Sequence, residues 1–205
     1  MSVFDNVASA YDRGMLGLEL LLLRRLRRDL RTFAQDRVLD LGTGTGANLG
    51  AYPPSAHVIA VDLSAEMLEH ARSKPHQATV NFVQANVQLL PFASQSFDRV
   101  VSSLLFCSTE NPLAGLQEIA RVLKPGGRLW MIEHVRGHLP LTRWLTDLLD
   151  PLWFRMNGSC HLNRETAQTV AQAGLKLIGG SRHLGGIFEV ICAQKPHVSI
   201  AHNDQ

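Results

Sequence analysis

The chain has 205 residues, 45% of them hydrophobic, and a formal charge of +2. That is enough material for one sizeable core, too little charge to mark a polyanion binder, and no run reaches the ~18 apolar residues a membrane-spanning helix needs. The three cysteines, Cys107, Cys160 and Cys192, are odd in number and far apart, so they outline neither a disulfide framework nor a zinc site. A reducing, cytoplasmic setting is expected, and with Asp5 and Asp12 and no apolar run, the amino terminus does not read as a signal peptide.

Three segments are expected: a helical piece over 1–34, a main domain over 35–195 and a polar, frayed tail over 196–205. Residues 1–15 read as a short helical turn and loop. From Leu16 to Phe33 the period predicts a helix with Leu16, Leu22, Leu23, Leu26, Leu30 and Phe33 on one face and Arg24, Arg25, Arg27, Arg28 and Arg31 on the other. Such a helix either packs on a sheet with a solvated arginine face or lies on an anionic membrane or over a lipophilic substrate as a lid. With few interleaved aromatics it is a poor nucleic-acid surface.

Val38-Leu39-Asp40-Leu41 followed by Gly42-Thr43-Gly44-Thr45-Gly46-Ala47 predicts a buried strand turning sharply into a helix, with glycines where a ligand approaches the backbone. Val58–Asp62 is a second strand, ending in a carboxylate that suits ribose hydroxyls. Ser64 caps a helix to about Ser73, and Thr79–Val83 is a strand leading to the polar loop Gln84–Phe92, whose side chains could read an adenine edge. Ser96–Ser103 is a further strand, and Asn111 caps a helix that Pro125-Gly126-Gly127 ends. Arg128–Glu133 is the fifth strand. Leu139 to about Met156 is helical with a kink at Pro151, Asn163 opens another helix, and Leu175–Ser181 with Ile187–Gln194 makes a terminal hairpin around Gly185-Gly186.

Strands alternating with helices predict an α/β fold, a mostly parallel, doubly wound sheet that binds its ligand at the carboxyl ends of the strands. The glycine loop, Asp62, the Asn86 loop and the end of the Ser102–Leu105 strand converge there. The glycine pattern alone also fits a dinucleotide. Asp40 discriminates, since a carboxylate before the first glycine opposes a pyrophosphate but suits an ammonium and a sulfonium, which favours S-adenosylmethionine.

The stretches Val38–Gly46, Val61-Asp62-Leu63-Ser64-Ala65-Glu66-Met67-Leu68, Leu90-Pro91-Phe92 with Ser96-Phe97-Asp98, and Glu118–Gly127 resemble class I S-adenosylmethionine-dependent methyltransferases, in the subgroup that includes ubiquinone and menaquinone methyltransferases. Phe4–Ala8 with Tyr11-Asp12 is similar to the opening of the quinone-ring enzymes. Phe106-Cys107-Ser108, Glu133-His134-Val135 and Gly158–Thr166 look more like alkyl-thiol methyltransferases and bacterial phospholipid N-methyltransferases. The resemblance implies a Rossmann-like sheet of seven strands with the last one antiparallel. It also implies a cofactor shell of Tyr11, Asp40, Gly42, Thr43, Gly44, Gly46, Asp62, Leu63, Met67, Asn86, Val87, Ser103 and Leu104, with Tyr11 closing over the methionine carboxylate. Asn86 and Gln88 depart from the acidic residues usual in that loop, and an amide carbonyl can still accept from the adenine amino group.

Methyl transfer needs alignment more than a protein nucleophile, but a thiol or ammonium acceptor must first lose a proton. His134 and His161 are the candidate bases, or else rim and packing residues; Glu133 could orient His134 or lie against the cofactor. Cys160 reads as packed rather than reactive. Trp130 is core, while Trp144, Trp153 and Phe154 could line a hydrophobic acceptor pocket. The sequence therefore predicts a methyltransferase for a small lipophilic acceptor, a thiol or amine-bearing lipid, with no metal. A quinone-precursor C-methyltransferase is the alternative. A nicotinamide-dependent oxidoreductase is disfavoured by Asp40 and the downstream motifs, and a non-catalytic cofactor binder stands third.

Overall fold

The computed structural model describes residue 15 and residues 17–157 and 160–197. Its seven strands are β1 (Arg37–Leu41), β2 (His57–Asp62), β3 (Thr79–Gln84), β4 (Phe97–Ser103), β5 (Leu123–His134), β6 (Lys176–His183) and β7 (Phe188–Gln194). They form one sheet in the order β3-β2-β1-β4-β5-β7-β6. The pairs from β3 through to β5 are parallel, and β7 runs antiparallel to both β5 and β6. The order reverses between β1 and β4, which opens a crevice at their carboxyl ends.

Both faces of the sheet are covered, because the central strands carry apolar residues in succession and successive side chains alternate sides. Leu39, Val100, Leu129, Met131 and Ile191 enter one core with Leu116 and Ile119 of the helix α3 (Pro112–Val122). Val38, Val58, Val101, Trp130 and Ile132 enter the other with Leu23 and Leu30 of the amino-terminal helical run and with Tyr52. Trp130 is thus core. The helix α2 (Ala65–Arg72) starts at Ser64, whose hydroxyl accepts from the Met67 N–H at 3.3 Å, and α3 starts at Asn111, which accepts from the Ala114 N–H at 3.1 Å. The helices α4 (Pro140–Asn157) and α5 (Thr166–Gln172) follow β5.

Several expectations are corrected. The helical run α1, made of Glu19–Leu23, Arg24–Leu26, Arg27–Asp29 and Leu30–Phe33, winds through π, α, 3₁₀ and α turns. Arg27 does not share the solvated face of Arg24, Arg25, Arg28 and Arg31: it is buried with Leu23, Leu30 and Ala34, because four residues after Leu23 returns to the same side of a helix. No α-helix follows the glycine turn, only a 3₁₀ turn over Leu49–Ala51, since Gly42, Gly44 and Gly46 sit at φ of 62°, 53° and 87° and interrupt helical winding. Pro125-Gly126-Gly127 does not end α3. That helix passes directly into β5 at Leu123, and the three residues lie at a register shift inside the strand, where the Gly126 N–H reaches the Lys195 carbonyl at 2.9 Å. The next helix begins at Thr166, not Asn163. The expected Leu16 contact, the Phe4–Ala8 motif and the end of the tail lie outside the described residues.

Candidate active site

Strand register brings the predicted cofactor residues together. Leu41 is level with Val61 and Ser102, and Asp62 with Gln84, so Gly42, Asp62, Asn86 and Ser103 emerge side by side at the carboxyl edge. The Asp62 carboxylate joins two turns: one oxygen accepts from the Gly44 N–H at 2.8 Å and the other from the Ser64 N–H at 2.9 Å. It thereby ties the glycine turn to the start of α2.

The three glycines differ in what surrounds them. A Cβ on Gly42 would come within 2.9 Å of the Leu105 side chain, and one on Gly46 within 3.1 Å of the Ala71 Cα. A Cβ on Gly44 would meet nothing closer than the Gly42 carbonyl at 4.0 Å. Gly42 and Gly46 therefore let the turn pack, while Gly44 leaves open the space that a nucleoside would fill.

Beneath the turn lies a buried polar chain. Asp40 is fully buried, accepts from Thr43 Oγ1 at 3.0 Å and from Asn48 Nδ2 at 2.9 Å, and is pushed by burial up to about 6 against the relief of those bonds. Asn48 Oδ1 in turn accepts from Arg27 Nε at 2.7 Å and Ser103 Oγ at 3.1 Å, and the Arg27 guanidinium pairs with Glu19. Tyr52 puts a buried hydroxyl beside Asp40 without completing a hydrogen bond. Asp40 thus braces the glycine turn from below, with each oxygen accepting from a neighbour. Arg27, Asn48 and Tyr52 escaped the sequence reading, although the four-residue spacing from Leu23 to Arg27 carries the signal for the first.

The remaining predicted residues fall around this turn. Leu63 is 53% exposed, Met67 and Val87 are buried, and Leu104 closes β4 in a left-handed conformation at φ 56°. The Asn86 carbonyl oxygen already accepts from the Gln88 N–H at 2.9 Å, so the loop is held by the group expected to face adenine. Tyr11 lies outside the described residues.

The second half of the site assembles from distant segments. Glu133, fully buried at the end of β5, accepts from the N–H groups of Leu105, Phe106 and Cys107 at 3.1 to 3.2 Å, and burial pushes it up to about 7. It therefore shapes the loop after β4 and does not orient His134. Segment 160–164 docks on that loop: the His161 N–H reaches the Cys107 carbonyl at 2.9 Å, and Arg164 reaches the carbonyls of Phe106 and Thr109 at 2.8 and 2.7 Å. His161 Nδ1 lies 3.3 Å from Asp150, which also accepts from the Leu162 N–H at 2.6 Å, and Phe154 stacks on the imidazole at 4.5 Å. His134 packs edge-on against Phe188, is held below its usual range by burial, and lies in reach of the His161 carbonyl; its Nδ1 has no partner. The two histidines are thus neighbours. Asp150 was not singled out from the sequence, though Thr146 and Asp150, four residues apart on one side of α4, are both buried. Trp144, Trp153 and Phe154 are 59%, 45% and 40% exposed.

A parallel sheet with a glycine turn, an acid at the end of the second strand and an open face over Gly44 defines a nucleotide-cofactor protein of the doubly wound class. The comparisons specify it. A family described as "Methyltransferase domain" matches residues 39–131. The chain is 40% identical to a demethylmenaquinone methyltransferase of Clavibacter sepedonicus, over 72% of this chain and 62% of that protein. It is 37% identical to a thiol S-methyltransferase of Rattus norvegicus, over 71% and 63%. A demethylmenaquinone methyltransferase of Protochlamydia amoebophila is 31% identical over 95% of this chain and 93% of its own length. Among solved structures, an S-adenosylmethionine-dependent methyltransferase of Thermotoga maritima superposes with a TM-score of 0.71 at 22% identity, over 94% and 98% of the two chains, and so shares the fold. The chain spans less than two thirds of the Clavibacter and Rattus proteins. It belongs to the family of S-adenosylmethionine-dependent methyltransferases, and S-adenosylmethionine is the cofactor that its site residues fit.

Proposed function

We propose that this chain transfers a methyl group to a small lipophilic acceptor, a thiol or an amine-bearing lipid. The observation that supports the reading is the pairing of His161 with Asp150 of α4, a helix that exposes Leu148, Leu152, Trp153 and Phe154. Bound at the glycine turn, S-adenosylmethionine supplies an electrophilic methyl on a sulfonium. Asp62 would accept the ribose hydroxyls and the backbone around Gly44 would line the nucleoside. With the hydrogen of His161 on Nδ1 and accepted by Asp150, Nε2 would be left to take the proton of a thiol acceptor. Phe154 holds the imidazole plane. His134, kept neutral by burial, is a second proton acceptor or a rim contact.

Relatives of two kinds support the reading at different strengths: the thiol S-methyltransferase shares the class of acceptor proposed, and the menaquinone enzymes favour the alternative of a quinone-ring carbon. Arg24, Arg25, Arg28 and Arg31 are exposed on α1, which suits a location at an anionic membrane surface. No helix among the described residues is long and apolar enough to cross a membrane. The test is transfer of labelled methyl from S-adenosylmethionine to alkyl thiols, phosphatidylethanolamine vesicles and a demethylated quinone. Thiol product that falls at least ~100-fold in His161→Ala and ~10-fold in Asp150→Asn, with cofactor affinity retained, is the expected result. Quinone product alone overturns it.

A further inference from the structure

Cys107 and Cys160 are 53 positions apart in sequence, yet the fold sets them against each other. The His161 N–H bond to the Cys107 carbonyl at 2.9 Å pins the two backbones together, and the two thiols are within hydrogen-bond reach of one another. Cys107 is 4% exposed, on the loop that Glu133 holds by three N–H groups, and its thiol also reaches the Leu104 carbonyl at 3.6 Å. Cys160 is only partly buried, on the segment that leaves α4. The Trp153 indole donates to its sulfur, and Arg164 stands near both thiols while bonded to the carbonyls of Phe106 and Thr109. The third cysteine, Cys192, lies on β7 level with Trp130 and has no thiol partner.

We propose that Cys160 and Cys107 are an oxidisable thiol pair, which a peroxide closes to a disulfide between the segment after α4 and the loop after β4.

The two thiols differ in the way such a reaction needs. The bond from Cys107, the Trp153 indole and Arg164 bring Cys160 down to about 7, against burial and the carboxylate of Asp150. Its bond to Cys160, burial and the Glu133 carboxylate hold Cys107 well above the usual thiol range. The other charged or titratable groups facing the pair are His161 beside Cys160 and His134 behind His161. Cys160 is therefore the attacking thiolate and Cys107 the resolving thiol. In the first step the Cys160 sulfur bonds to one peroxide oxygen, the O–O bond breaks, and hydroxide leaves and is protonated to water. In the second, the Cys107 sulfur gives up its proton and attacks the sulfenic sulfur; the S–S bond forms, the S–O bond breaks and a second water leaves. Two thiols lose two electrons and the peroxide gains them. The product ties the carboxyl end of α4 to a loop whose Leu105 lies against Gly42, so oxidation reaches both halves of the site.

The test uses the reduced full chain, treated with about one equivalent of hydrogen peroxide near pH 7.5, quenched with N-ethylmaleimide and mapped by mass spectrometry. A peptide joining Cys107 to Cys160, an intact mass lower by two hydrogens and an alkylated Cys192 are expected. Cys192→Ser should keep the link, and Cys107→Ser should leave a sulfenic acid on Cys160 that dimedone traps. In the reduced protein at pH 7, iodoacetamide should modify Cys160 on the order of ten-fold faster than Cys192. Links through Cys192, disulfides between chains only, or no joined peptide when peroxide has been consumed would each overturn the proposal, and these readings of the unaltered protein stand even where a serine variant fails to fold.

Discussion

The two halves of the site are built on opposite plans. The cofactor half draws its turn from residues 40–64 of one continuous stretch and ties Asp40, Asn48 and Asp62 to neighbours along it. The half proposed to take the acceptor gathers Cys107, Glu133, Asp150 and His161 from four separate segments, leaves His134 Nδ1 without a partner, and carries on α4 exposed apolar side chains between Leu141 and Met156. A cofactor shared by a whole family rewards a preorganised cradle, whereas an acceptor that differs among relatives is met by parts that can be exchanged without disturbing that cradle.

If the cradle is held by its buried chain, the largest effect belongs to Arg27. Arg27→Ala leaves Glu19 and the Asn48 carbonyl facing a void and should cost about 3 to 5 kcal/mol in urea unfolding, whereas Arg28→Ala on the solvated face should change stability by less than about 0.5 kcal/mol. Equal effects would return Arg27 to the surface stripe.

The next test sets the two buried carboxylates side by side. Both stand above their ordinary values, Asp40 at about 6 against 3.8 and Glu133 at about 7 against 4.5, so the folded chain holds protons that the unfolded chain has released. Their contribution to stability is complete below about pH 4 and is lost as pH rises, through about 6 for Asp40 and about 7 for Glu133, amounting to about 3 kcal/mol for each. Thermal melts of Asp40→Asn and Glu133→Gln should each show a flatter fall between pH 4 and 7 than the unaltered protein. A parallel fall would show that neither acid binds its proton on folding.

Smaller effects separate binding from folding within the cradle. Asp62→Ala should weaken S-adenosylmethionine by ~1 to 3 kcal/mol in calorimetry, since ribose hydroxyls lose their acceptor. Gly44→Ala should cost about 1 kcal/mol of stability through its positive φ, yet more than that in cofactor affinity, because its Cβ enters open space in the protein alone. Affinity unchanged in both variants would move the nucleoside off this turn.

The strands of the cofactor half, the acid at the end of β2 and the caps at Ser64 and Asn111 were legible in the sequence, because these rest on local rules: an apolar run, positive φ at glycine, a side chain reaching an N–H three residues on. The sequence also carried the family resemblance that implies the antiparallel β7. Tertiary structure alone decided what faces what. Arg27 meets Asn48, Glu133 meets the loop after β4, His161 meets Asp150, and Cys107 meets Cys160 only once the sheet has set β4, β5 and the segment after α4 edge to edge. A hydrogen bond depends on distance in space, and the period of a helix or strand says which side a residue leaves by but not which distant residue waits there.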